Sequence, residues 1–171
     1  MTKTTLVWVI FLCSCFVSVG QNSLDKIKKE YDSLIKNTKY GNNPDAGKYY
    51  DIRGFKMYCE TYGEGEPLLL IHGNGSSIGA FVKQIPFFSK KYKVIVADNR
   101  NHGKSVDKLD SLSYEMMADD YAALLSQMKI DSAYVLGWSD GGVNGVLMAI
   151  RHPEKVKKLV ITGANLQPDS S

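Results

Sequence analysis

The stretch Tyr134-Val135-Leu136-Gly137-Trp138-Ser139-Asp140-Gly141-Gly142 constrains the fold more than any other part of the chain. An apolar run enters Gly-x-Ser-x-Gly, and a helix-forming segment, Val143 to Ile150, follows and closes at His152-Pro153. A serine hydroxyl is a poor nucleophile unless it is held clear of its own backbone, beside a base and at the positive end of a helix. A strained strand-to-helix turn provides that position. Gly137 and Gly141 suit it because a Cβ at either place would crowd the neighbouring strand and helix. Ser139 is therefore read as a nucleophile at the tip of an elbow.

Chemistry at such a serine needs a histidine as general base and a carboxylate to orient it, in the chain order Ser, then Asp or Glu, then His. The chain has 3 histidines, at 72, 102 and 152, so none follows His152. Beyond the first helical turn after Ser139 the carboxylates are Glu154 and Asp169. His152 stands at the far end of the helix that Ser139 begins. At 1.5 Å rise per residue that is well over 10 Å from the hydroxyl, and it cannot be the base. The expectation is a chain that carries no catalytic histidine and no catalytic acid.

At 171 residues with 44% hydrophobic content, one sizeable core in one domain is expected. The net charge of +3 comes with lysines scattered near helix and strand ends, Lys26 to Lys29, Lys90 to Lys93 and Lys155 to Lys158. They read as solvated faces and not as a nucleic-acid surface.

The first twenty residues read as an address. Lys3 supplies a positive start, Leu6 to Val19 is an uncharged apolar run, and Ser18-Val19-Gly20 offers small residues for cleavage after Gly20. Export, periplasmic or secreted, follows. The apolar run falls short of the roughly 20 residues of a spanning helix, so no stable membrane span is expected. Leu12-Cys13-Ser14-Cys15 also loosely resembles the lipobox of bacterial lipoproteins, which would put a lipid on Cys15. With Cys13 and Cys15 in the leader, Cys59 is left without a disulfide partner and reads as a small buried hydrophobe.

Residues 21–47 read as a leader helix and loop. Leu24, Ile27, Tyr31, Leu34 and Ile35 share one helical face, and Gly41-Asn42-Asn43-Pro44 breaks the pattern. From residue 48 to 171 the chain reads as an incomplete catalytic domain. Tyr49 to Ile52 and Phe55 to Tyr62 form a hairpin across Arg53-Gly54. Then apolar strands, Leu68 to Ile71, Val94 to Ala97, Tyr134 to Leu136 and Leu159 to Thr162, alternate with helices at Ile78 to Phe88, Tyr114 to Met128 behind Ser113, and Val143 to Arg151. This is an α/β pattern: a mostly parallel sheet of about six strands with helices on both faces.

Two further loops carry chemistry. His72-Gly73-Asn74-Gly75 follows the first parallel strand, and the backbone N–H of Asn74, with that of Asp140, could face a developing oxyanion. A dinucleotide-binding unit at Gly73-x-Gly75-x-x-x-Gly79 with Asp98 fails on spacing, because Ile78 stands where the third glycine belongs. No cofactor and no metal are expected. Asp98-Asn99-Arg100-Asn101-His102-Gly103-Lys104-Ser105 follows the second parallel strand. Asp98 and Arg100 can bond across the loops, and His102 and Ser105 can satisfy buried backbone groups. His102 as general base is the disfavoured alternative.

Together these three loops, with Gly137-Trp138-Ser139-Asp140-Gly141-Gly142 and Gly163-Ala164-Asn165 after the next strand, resemble the α/β-hydrolase superfamily, and within it the valacyclovir hydrolase branch. The match covers about Lys48 to Asn165. The resemblance implies the first six of eight strands, Ser139 as nucleophile, Asn74 and Asp140 as oxyanion donors, and a small-molecule ester or acyl substrate. The cap, last strands, acid and histidine of the family have no counterpart, so the chain is expected to be an N-terminal part with little activity alone. Its open sheet edge is expected to take a C-terminal complement or a second copy. Asp169 falls where a minority of the superfamily keeps its acid. A serine at 139 disfavours dehalogenase and epoxide hydrolase chemistry, which on this fold uses a carboxylate nucleophile. Asp140 could favour a cationic substrate group. The competing reading is a non-catalytic remnant or binding module that keeps the front half of the fold.

Overall fold

A computed structural model describes residues 23–108 and 112–165. The expected leader, Cys13 and Cys15 included, and the tail with Asp169 lie outside them. The chain divides into two compact units, one up to Thr38 and one from Lys39. In the first, residues 23–37 form a helix, α1. Among the described residues no helix is long and apolar enough to cross a membrane.

The second unit is built on a six-stranded sheet: β1 (Gly47–Ile52), β2 (Phe55–Tyr62), β3 (Glu66–Ile71), β4 (Tyr92–Ala97), β5 (Ala133–Trp138) and β6 (Val156–Thr162). The strand order is β1-β2-β4-β3-β5-β6. β1 and β2 form the expected hairpin, and β2 runs antiparallel to β4. β4, β3, β5 and β6 are parallel, in register from Leu68 beside Val94 and Tyr134. Jumping from β3 out to β4 and back across to β5 puts a crossover on each side of β3, and the three chemistry-bearing loops all leave the carboxyl ends of β3, β4 and β5.

The inner stretches of the central strands, Leu68 to Ile71 and Val94 to Ala97, are apolar at every position because both faces are covered. Leu69, Ile71, Ile95, Ala97 and Val135 pack on one face under α3 (Tyr114–Gln127) and α4 (Asp140–Arg151), against Tyr121, Leu124, Leu125 and Met148. Leu68, Leu70, Val94 and Val96 pack on the other, against Ile78, Phe81 and Ile85. Burying a side chain such as Leu or Ile is worth about 1.5–3 kcal/mol, so these two layers supply most of the drive to fold. Cys59 is buried in the first layer, and burial pushes its thiol up to about 12, as a packing residue requires.

One element departs from the sequence reading. Ile78 to Phe88 is not one helix but a 3₁₀ turn, Ile78–Phe81, and a five-residue α2, Gln84–Phe88. Pro86 is the reason: it has no N–H to give, and its ring clashes with the carbonyl four residues back, at Val82. α3 starts where expected, with Ser113 Oγ accepting from the Met116 N–H.

Two buried polar clusters went unread in the sequence. The Glu60 carboxylate accepts from the N–H of Gly41 and of Asn43 and from the hydroxyls of Tyr58 and Tyr62, clasping the 39–46 loop onto β2. Arg100 is 2% exposed, forks onto Asp120 with two 2.8 Å bonds, reaches Asp107, and lies over the Phe55 ring at 4.1 Å.

Candidate active site

Ser139 sits between β5 and α4 with φ 54 and ψ −127, left-handed backbone that a non-glycine residue avoids. What holds it there is close backbone packing on either side. A Cβ on Gly137 would lie 2.2 Å from the Gly141 carbonyl oxygen, and one on Gly141 would lie 2.1 Å from that of Ile71. The Ser139 N–H donates to the Thr162 carbonyl at 2.9 Å, tying the tip to the end of β6. One on Gly73 would fall 2.9 Å from Ser139 Cβ, so the first loop passes directly against the serine. Gly75, also in that loop, adopts φ 65.

His72 aims this loop. It is fully buried. Its Nε2 accepts the Asn99 N–H at 3.0 Å, so the ring proton is on Nδ1, which donates to the Gly73 carbonyl at 2.8 Å. In a trans peptide the C=O and the following N–H point in opposite directions. With the Gly73 oxygen drawn inward, the Asn74 N–H faces outward. Asn99 is fixed in turn: its side chain donates to the His72 carbonyl at 3.0 Å and accepts from the Tyr121 hydroxyl at 2.5 Å. Among the described residues no acceptor takes the N–H of Asn74 or of Asp140. Asp140 opens α4, where N–H groups are unpaired and the helix dipole is positive. These are two unengaged donors, one on each side of the serine.

The second loop is a support. The Asp98 carboxylate accepts from the Ile78 N–H at 2.9 Å and the Lys104 N–H at 2.8 Å, and a Cβ on Gly103 would fall 2.2 Å from it. Ser105 Oγ donates to the Asp98 carbonyl and accepts the Tyr58 N–H, and His102 Nδ1 faces the Arg100 carbonyl at 2.9 Å. Arg100 turns away from the site to Asp120 and Asp107.

A cavity of about 220 Å³ is lined by Asn74, Asn99, His102, Tyr114, Met117 and Asp140, the residue after Ser139, among others. Tyr114 lines the cavity with Asp140, and burial followed by the nearby Asp140 carboxylate raises the phenol above its ordinary value. Trp138 is 43% exposed, at the Gly163 turn. Among the described residues no histidine or carboxylate is bonded to the Ser139 hydroxyl. His152 is engaged by Asp119 at 2.8 Å, which Arg151 also forks onto.

Comparison with known proteins places the fold in a family. Residues 66–171 match the model of the family described as alpha/beta hydrolase fold. The chain is 31% identical over 127 residues to the 2-hydroxymuconate semialdehyde hydrolase of Pseudomonas sp. (strain CF600), covering 72% of this chain and 45% of that one. It is 33% identical over 120 residues to human serine hydrolase BPHL, covering 67% and 41%. A crystal structure of the N-acyl homoserine lactonase AidH in complex with N-butanoyl homoserine superposes with a TM-score of 0.65 at 39% identity, covering 69% and 44%. The chain thus spans less than half the length of these relatives.

Burial lowers the His72 imidazole from 6.5 to about 4, its bond to Gly73 opposing only in part. The folded value lies below the unfolded one, so the unfolded chain takes the proton first as pH falls. The contribution to stability is full above about pH 6.5, is lost between there and about pH 4, and amounts to roughly 3 kcal/mol. The His72 ring resonances in a proton NMR titration should stay nearly unmoved from neutral pH down to about pH 5 and reach their midpoint only near pH 4. A midpoint near the free value would mean that the ring is not locked as described.

Proposed function

The chain belongs to the alpha/beta hydrolase fold family, and from that premise we propose that it is the Ser139-bearing part of a serine hydrolase acting on carboxylic esters or related acyl compounds. The observation that carries this is the pairing of a serine at φ 54 with two unengaged backbone donors, Asn74 N–H and Asp140 N–H. In the reaction Ser139 Oγ attacks the substrate carbonyl carbon and loses its proton to a base. The carbonyl oxygen becomes an oxyanion that the two N–H groups stabilise. Collapse then expels the alcohol, which takes the proton back, and leaves an acyl-serine for water to hydrolyse. Losing one such donor costs roughly 10²–10³ in rate elsewhere, the scale of the effect at stake.

The base and its orienting acid are proposed to come from sequence beyond these residues. Support comes from the coverage of under half of each relative and from the engagement of all three histidines: His72 in the buried loop, His102 on Arg100 and Asn74, His152 on Asp119. Asp140 at the cavity favours substrates with a cationic group near the scissile carbonyl, and the lactonase named above supports including lactones among the acyl compounds. The intact protein is proposed to react at Ser139 with a fluorophosphonate, and Ser139→Ala to abolish the labelling. The chain of 171 residues should turn over p-nitrophenyl acetate only at the residual level left when triad members are missing, roughly 10³–10⁴ over water. Turnover by this chain within about tenfold of the intact protein would place the base inside it.

The non-catalytic reading draws support from the same unengaged hydroxyl. It predicts no labelling of the intact protein and is separated by that experiment.

Two proposals concern the surroundings. β6 is an edge strand carrying exposed Val160 (59%) and Ile161 (39%), with no strand on its outer side among the described residues. An open apolar edge recruits other chains, so it is proposed to be covered by a C-terminal complement or a second copy. The isolated chain should associate or melt without cooperativity. A monodisperse monomer with a sharp thermal transition contradicts this. Export is proposed from residues 1–20, and mature protein outside the cytoplasm should begin at Gln21. A species beginning at Cys15 with added acyl mass would replace cleavage after Gly20 with lipidation.

A further inference from the structure

Asn144 is a polar side chain in an apolar wall. On α4, Gly141, Asn144 and Met148 fall on one face of the helix, and all three are buried, Asn144 completely. Met148 packs there with Ile71, Tyr121, Leu124 and Leu125, so packing alone calls for an aliphatic residue at 144. The position instead holds an amide, with two N–H donors and an acceptor oxygen. Its Nδ2 donates to the Met117 sulfur at 3.9 Å, a weak acceptor, and its Oδ1 has no hydrogen-bond partner among the described residues. Turning the amide over exchanges its two ends and satisfies neither, so the deficit holds in both orientations. A buried polar group left without a partner costs free energy, which an aliphatic side chain at 144 would avoid.

The amide lies next to the cavity. Asn144 follows Asp140 by four residues, roughly 6 Å along the axis of α4, and Met117 follows Tyr114 by three on α3. Asp140, Tyr114 and Met117 all line the cavity, and Met117 is the one that also touches Asn144. Met117 is thus the side chain between the amide and the cavity. An unbranched thioether turns on three bonds at little cost, and such a turn makes Asn144 part of the cavity floor. We propose that Asn144 is a specificity-determining residue, whose amide, reached past Met117, takes a hydroxyl carried on the acyl chain of the substrate. This rests on the reading of Ser139 as the nucleophile of an acyl-transfer site.

The chemistry of the position selects the ligand group. Its neighbours are apolar or weakly polar, Met117 beside it and Met148 one turn further along the helix, so a charged group brought there would be buried without a counter-ion. An uncharged group avoids that cost. A hydroxyl donates one hydrogen bond and accepts others, and it therefore serves the amide in either orientation. The position also selects the side of the ester. The alcohol must leave after the first step, whereas the acyl chain stays on Ser139 until water releases it. A floor buried between two helices suits the part that stays.

The test compares kcat/KM of the intact protein for p-nitrophenyl 3-hydroxybutyrate and p-nitrophenyl butyrate, in the parent and in Asn144→Leu. The ratio of the two esters should fall by about tenfold in the variant, the worth of one net hydrogen bond. Taking the change in the ratio removes the difference in intrinsic reactivity between the esters. An unchanged ratio overturns the proposal. Asn144→Leu should also melt at or above the parent's temperature, because it removes an unpaired buried amide. If leucine crowds the site and melts early, Asn144→Ala carries the same comparison. Early melting of both variants means that the amide is partnered inside the intact protein, and overturns the proposal. If a fluorophosphonate does not label Ser139 and neither ester is turned over, the hydrolase reading fails by itself. The Asn144 side-chain NH₂ resonances of ¹⁵N-labelled protein, assigned by their loss in Asn144→Leu, then decide the subsite. They should shift on adding ethyl 3-hydroxybutyrate and not ethyl butyrate, and an equal response to the two esters, or none, overturns it.

Discussion

The approach of α4 to the end of β3, too close for any side chain at Gly141, is the contact on which the rest of the site depends. It brings the first turn of the helix against the Ile71 and His72 carbonyls, and the five residues from Gly137 to Gly141 then have no room to turn except through a left-handed residue at the tip. Ser139 takes that conformation, at a cost on the order of 1–3 kcal/mol. Paired strands on both sides of β5 and a helix packed on two of them hold it in place. The strain is what lifts the hydroxyl off the backbone and leaves the Asp140 N–H unpaired beside it.

The second half of the site is set by burying polar groups and giving each a partner. His72 is the hub: its proton fixes the direction of the Gly73 carbonyl, and the planarity of the peptide passes that direction to the Asn74 N–H. Asn99 and Tyr121 lock the ring from behind. None of these three side chains needs to touch a substrate. They remove alternatives for the loop, so that in the proposed reaction the donor would need no reorganisation as charge develops.

Much of this is legible in the sequence where the signal is local. The elbow, the apolar strands and the Ser113 cap each depend on neighbours within a few positions, and β5, α3 and α4 form at the places the pattern marks. Pro86 is a local signal as well, and its weight against one continuous helix from 78 to 88 was the physical point missed. The partners of buried polar groups are a different matter. Glu60 could not be matched to Gly41, Asn43, Tyr58 and Tyr62, nor Arg100 to Asp120 and Asp107, before the topology was known. Each choice is made by packing across 7 to 20 positions of sequence or by alternation on a strand face. Sequence put His102 beside the site without showing that it points at Asn74, a contact spanning 28 positions.

The central claim is that Ser139, Asn74 and Asp140 form one oxyanion-stabilising unit before substrate arrives. A crystal structure of the intact protein after reaction with a phosphonate ester tests it most directly. The account predicts a bond from phosphorus to Ser139 Oγ and a phosphoryl oxygen within roughly 2.7–3.1 Å of both the Asn74 and Asp140 backbone nitrogens, with the 72–75 loop unmoved. An adduct on another residue, or a phosphoryl oxygen bonded to neither nitrogen, would contradict it.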